Sequence, residues 1–241
     1  MVYLVVFLVA LFAGGLSGII GTGSSLILLP VLVYAYGPKE AIPIMAVAAV
    51  MGNLSRAIVW RREIDWRAAV AFALPGVPAA ALGARTMLSL PAWTIDAGLG
   101  VFFCSMVLVR RHLAVTGRRL SALQLGVCGA GIGFLTGLVL STGPLSIPAF
   151  TAYGLAGGSF LGTEAASSVL IYLGKVATFA SQGALSSTAW LQGLLTGAGI
   201  MMGTALSKPL VLKLGRGAHA MMLDGLLLVS GATFFWMAFA H

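Results

Sequence analysis

The chain has 241 residues, 59% of them hydrophobic and 8% charged, where a soluble domain runs at roughly 45–50% apolar and about 25% charged. So little charge cannot coat a soluble fold of this size, and the composition predicts an all-α polytopic membrane protein. The net charge of +8 then reads as Lys and Arg marking cytoplasmic loops; nucleic-acid binding is not expected, because no aromatic-basic module accompanies it.

The first apolar run, Val2–Ile20, carries no Lys or Arg before it. A cleaved signal peptide would have a positive n-region, so this run is expected to belong to the mature fold. It leads into "GGLSGIIGTGSSLILLP", where Gly21, Thr22, Gly23, Ser24 and Ser25 are consecutive. Glycine costs about 1 kcal/mol against Ala in a helix interior, so the segment 2–36 is expected to be broken there. Helices are expected at 40–60, 67–88 and 92–112, with a bend at "LPGVPAA" (Leu74–Ala80) and another at Pro43. The basic link "RRHLAVTGRR" follows. A second broken segment is expected at 120–153, where "LSTGP" places Pro144 after Gly143 as a residue suited to a new helix's first turn. Helices at 159–182, 189–207 and 218–240 complete the series. Cys104 and Cys128 fall inside apolar runs and read as packing residues.

Shifted by 119 residues, the chain matches itself: Gly14, Ser17, Gly18, Thr22 and Leu26 fall on Gly133, Thr136, Gly137, Ser141 and Leu145, while Asn53 meets Tyr172 and Arg56 meets Lys175. Two repeats, 1–115 and 118–241, are therefore expected, each of four segments and each opening with an interrupted one. Duplicated halves with matched interruptions are a mark of repeat-built transporters. If every segment crosses the membrane, the halves are parallel and loop cations divide seven inside against five outside. If the broken segments are re-entrant, the halves are inverted and the division is ten against two. The second arrangement is favoured by the positive-inside bias.

Close packing of small residues is one reading of the glycines. The other is a half-helix starting inside the membrane, whose free N–H groups and positive dipole end form an anion site. On that reading a small anion binds between Gly21, Thr22, Gly23, Ser24 and Ser25 of one copy and Ser141, Thr142, Gly143 and Pro144 of the other. Asn53, Arg56, Tyr172 and Lys175 are added as matched neighbours. Arg56, near a helix end, is expected to snorkel to the interface; Lys175 is either snorkelling or functional. Glu164 is either a charge at a helix N-terminus or a proton-coupling group.

These residues resemble a known family. "GGLSGIIGTGSSLILLP", its second copy "GFLTGLVLSTGPLSIP" and "RREIDWRAAVAFALPGVPAAALGAR" are similar to the TauE/SafE sulfite exporters, the toluenesulfonate uptake permease family, over nearly the whole chain. Many members read "GIGGG" where this chain has Gly21-Thr22-Gly23-Ser24-Ser25. The resemblance implies a multi-pass carrier of the bacterial inner membrane, surrounded by lipid. Its expected cargo is a small sulfur-containing anion, sulfite or an organosulfonate, and its expected direction export. No cofactor or metal is implied. With no ATP-binding motif, energy would come from an ion gradient, proton or sodium, or from a partner.

Three other classes remain beside a carrier. A passive channel would pass the same anions without saturable exchange. An intramembrane hydrolase would need a base near its nucleophile; Ser24 or Ser141 could serve as the nucleophile, but no histidine lies within an apolar run where it could reach them. A structural subunit would leave the duplicated interruptions without a role.

Overall fold

The computed structural model describes residues 2–20, 24–91, 93–101, 105, 119–139, 143–211, 225, 228–234 and 236. All regular structure among them is helical: α1 (Val2–Ile20), α2 (Ser24–Tyr36), α3 (Pro38–Val59), a 3-10 turn (Arg61–Glu63), α4 (Trp66–Ser89), α5 (Ala122–Val139), α6 (Gly143–Tyr153), α7 (Gly157–Ser181) and α8 (Ser187–Val211). Residues 93–101 and 228–234 are helical as well. Helices α3 and α4, of 22 and 24 residues, are long and apolar enough to cross a membrane. Large apolar side chains such as Leu8 and Phe12 on α1, Leu74 on α4 and Leu123 and Val127 on α5 point outward, as expected of lipid-facing surface.

One pair of helix starts repeats at the spacing seen in the sequence: Pro38 opens α3 and Gly157, 119 residues later, opens α7. Local chemistry explains several of these boundaries. Gly37 adopts φ 76° and Pro38 takes the first helical position of α3, where its missing N–H is no loss. Asp65 caps α4 by accepting a 3.0 Å bond from the Ala68 N–H. At α5, Ser121 and Gln124 form a reciprocal capping box, each side chain bonding the other's backbone N–H. Pro75 and Pro78 lie inside α4, which runs unbroken from Trp66 to Ser89.

Two glycine-lined seams hold the helices together. A Cβ added at Gly129, Gly133 or Gly137 of α5 would overlap the backbone carbonyl of Phe72, Gly76 or Ala80 of α4, in that order. The ascending order means that α4 and α5 run parallel. On the other side, Gly14 of α1 lies against Ile200 of α8, Gly18 against Ser207, and Gly203 against the Leu11 carbonyl, so α1 and α8 are parallel too. Thr204 Oγ1 donates to the Gly14 carbonyl across that seam at 3.1 Å. Small residues of this kind let membrane helices approach closely enough for backbone contact. Gly14 and Gly18 thus serve packing, the first of the two sequence readings.

Helices α3 and α7 cross between the seams in opposite directions: Trp60 of α3 lies against Gly158 and Gly162 near the start of α7, and Arg56 meets Glu164 further along. Helix α4 runs parallel to α7, with the Asp65 N–H donating to Thr163 Oγ1 at 2.9 Å and Gly174 packed on Val77. Helix α1 packs on α2, and α5 on α6. The Leu120 N–H, just before α5, donates to the Ala152 carbonyl near the end of α6 at 2.9 Å.

Substitution of a seam glycine tests this packing. Gly133→Leu is expected to cost about 1–3 kcal/mol or more through overpacking, read as a lowered melting temperature in detergent. Gly131→Leu, whose side chain meets open space, should leave the melting temperature unchanged or slightly raised.

Candidate functional site

The starts of α2 and α6 share one cavity of about 600 Å³, counting its open mouth. Ser24 and Ser25 line it from the N-terminus of α2, and Gly143 and Ser146 from that of α6. The first N–H groups of any helix lack an intrahelical partner, so two sets of donors converge on this space. Ser17 of α1 and Thr136 of α5 add hydroxyls, and Gly52, Asn53 and Arg56 of α3 form one wall. Opposite, Glu164, Ser168 and Tyr172 of α7 form the other, with Phe72 of α4 and Ile132 of α5 supplying apolar surface.

An ion pair crosses the cavity. Arg56 Nη2 donates to Glu164 Oε2 at 2.9 Å, and both side chains are buried. The same Nη2 donates to Asn53 Oδ1, while Asn53 Nδ2 is anchored on the Ala49 carbonyl at 2.8 Å. Glu164 Oε1 accepts from Ser168 Oγ at 2.9 Å and from Ser146 Oγ at 3.3 Å. The guanidinium is therefore held by one prong. Its other nitrogen, Arg56 Nη1, is buried and has no hydrogen-bond partner among the described residues. A buried charged donor left unpaired is costly, so this position suits an incoming acceptor oxygen.

Lys175 occupies a different place from its sequence partner. It is fully buried and does not line the cavity. Its Nζ donates to the Thr136 carbonyl at 2.6 Å and lies 5.4 Å from the centre of the Phe179 ring. Thr136 is in the last described turn of α5, and a cation near a helix C-terminus complements the dipole. Lys175 thus bonds backbone near the described end of α5 and is buried there.

Of the residues expected at the site, the structure brings Ser24, Ser25, Asn53, Arg56, Gly143 and Tyr172 around one cavity. Gly21, Thr22, Gly23, Ser141 and Thr142 lie outside the described residues, as does the side chain of Pro144, the second residue of α6. The expected snorkelling of Arg56 does not occur: the side chain turns inward, because Glu164 and Asn53 offer it partners there. Glu164 is not a first-turn acid either, since α7 begins seven residues earlier at Gly157. Ser17, Thr136, Ser146 and Ser168 were not anticipated as cavity residues. For Ser17 and Thr136 a signal existed, since they occupy matched positions in the two copies.

Neither the curated proteins nor the solved structures contain a match to the chain. The family model described as "Sulfite exporter TauE/SafE" matches residues 6–234. An all-helical chain with lipid-facing apolar surfaces and a polar cavity walled in by its helices fits a family of membrane transporters, and the extent of the match decides the matter: the chain belongs to the TauE/SafE family of sulfite exporters.

Proposed function

We propose that the protein is a secondary transporter that moves a small sulfur-containing anion, sulfite or an organosulfonate, through the cavity between α3 and α7. The observation that carries this reading is Arg56 Nη1, a buried guanidinium nitrogen without a partner among the described residues, set beside the N-termini of α2 and α6. An oxyanion there would take charge-assisted hydrogen bonds from Arg56, which are roughly twice as strong as neutral ones, and N–H donors from two helix starts. The hydroxyls of Ser17, Ser24 and Ser25 add donors without adding charge.

The helix directions support an inverted-repeat carrier. Helices α3 and α7 hold corresponding positions and run antiparallel, and each repeat's opening helix packs parallel to the other repeat's fourth described helix (α1 on α8, α5 on α4). A pseudo-two-fold axis in the membrane plane has this effect. The Leu120–Ala152 hydrogen bond and the packing of α1 on α2 support re-entrant opening segments. At about 1.5 Å per residue, α2 and α6 reach about 20 and 16 Å, short of the ~30 Å hydrocarbon core. Their starts then lie within the membrane, where alternating access would expose them to either side. We assign the carrier to the bacterial inner membrane, with export as its working direction.

Two measurements test the reading. Purified protein is expected to show a raised melting temperature with sulfite, methanesulfonate or sulfoacetate and not with chloride, because a ligand that binds only the folded state stabilises it by mass action. Arg56→Lys should weaken that binding about tenfold or more, the loss of one charge-assisted bond; unchanged affinity would remove Arg56 from the site. For topology, Gln182→Cys in the link between α7 and α8 should react with a membrane-impermeant thiol reagent from the periplasmic side. Labelling from the cytoplasm alone would overturn the re-entrant arrangement.

A further inference from the structure

The Arg56–Glu164 pair is a poor design for a simple anion site, since it places a carboxylate where the anion should sit. It has the makings of an exchange. Glu164 engages only one prong of the guanidinium, and the other is buried without a hydrogen-bond partner among the described residues. The carboxylate's remaining neighbours are Ser146 and Ser168, and a hydroxyl can donate to a carboxylate or accept from a carboxylic acid. The surroundings of Glu164 can therefore satisfy either protonation state.

We propose that Glu164 is the proton site of the carrier, and that anion and proton bind together. The inference rests on the anion site described above. An oxyanion arriving on Nη1 reaches across to Nη2 and completes the two-pronged fork that suits guanidinium. Glu164 loses its counterion. A buried carboxylate without a counterion is strongly disfavoured, so it takes a proton from solution on Oε1, the oxygen beside Ser146 and Ser168. That O–H then donates to one of the two hydroxyls. The anion gains the bonds that the carboxylate gives up, and one proton accompanies one negative charge.

The groups around Glu164 permit this. Among the described residues, the charged and titratable groups facing it are the Arg56 guanidinium from α3 and the Tyr172 phenol from α7, which is within electrostatic reach of both members of the pair. Helices α1, α2, α5 and α6 present the hydroxyls of Ser17, Ser24, Ser25, Thr136 and Ser146, and α4 presents Phe72. Among the described residues no second cation lines the cavity to hold Glu164 ionised once Arg56 turns to the anion; Lys175 is committed to the Thr136 carbonyl.

Charge balance sets the transport rule. The empty cavity holds a guanidinium and a carboxylate, and the loaded one holds a guanidinium, a monovalent anion and a carboxylic acid. Both are neutral. A cavity loaded with the anion alone, or the proton alone, carries an uncompensated charge that is expensive inside a membrane, so it cannot close. Cotransport of a monovalent anion is then electroneutral, an inward proton gradient favours uptake, and export proceeds when the anion's own outward gradient exceeds it.

Titration calorimetry with methanesulfonate, a strong-acid anion whose charge is constant across neutral pH, tests this in buffers of different ionisation enthalpy. Wild type is expected to take up about one proton per methanesulfonate bound, as linkage requires of a group whose protonation changes on binding. Glu164→Gln, which keeps a neutral side chain with the same hydrogen-bonding reach, is expected to bind methanesulfonate without proton uptake. In vesicles this variant should still exchange methanesulfonate for methanesulfonate and lose accumulation driven by a pH gradient. Binding to wild type without proton uptake, or equal uptake by wild type and Glu164→Gln, would overturn the proposal and leave the anion site standing. Absence of methanesulfonate binding to wild type would overturn both.

Discussion

A helix that ends inside a membrane has to find partners for its own backbone, and much of this molecule is arranged around that requirement. Unpaired N–H and C=O groups in hydrocarbon cost several kcal/mol each. Near the described end of α5 the Lys175 amine bonds the Thr136 carbonyl. The described starts of α2 and α6 face a polar cavity lined with hydroxyls. Other helices close over these ends, and the same closure makes the cavity.

That closure depends on backbone contact along the two glycine seams. Carbonyls of Phe72, Gly76 and Ala80 occupy the space that a Cβ on α5 would need, and the Leu11 carbonyl does the same for Gly203 of α8. Each seam fastens a helix of one half of the chain to a long helix of the other half. The pairs α3–α8 and α4–α7, packed through Val47–Gly193 and Val77–Gly174, tie further helices across the two halves in the same crossed fashion. The cavity wall is correspondingly composite, with Arg56 from the first half and Glu164 from the second.

Much of the scaffold was legible in the sequence because it follows from composition and repetition. Long apolar runs marked the helices, and glycine and hydroxyl clusters interrupting two of those runs, related by a 119-residue shift, pointed to the neighbourhood of the cavity. Six of the expected site residues meet at one cavity for the same reason, since Ser24, Ser25 and Gly143 sit at the interruptions themselves. Side-chain direction was another matter. Arg56 and Lys175 hold matched positions in sequence, yet one faces the cavity and the other bonds helix backbone. The difference lies in their partners, Glu164 for Arg56 and the Thr136 carbonyl for Lys175, and both are contacts between segments distant in sequence. Periodicity along one helix carries no information about what the neighbouring helix offers. Glu164 was legible as an acid in an apolar run but not as the counterion of Arg56, 108 residues away.

The division of charge along the chain has a consequence for how the cavity is assembled. The position 119 residues before Glu164 is Met45, so at the cavity the cation comes from the first half of the chain and the acid from the second. Either half set against a copy of itself would bury like charges without this counterion. The Arg56–Glu164 pair therefore needs both halves at once, and neither can stand in for the other.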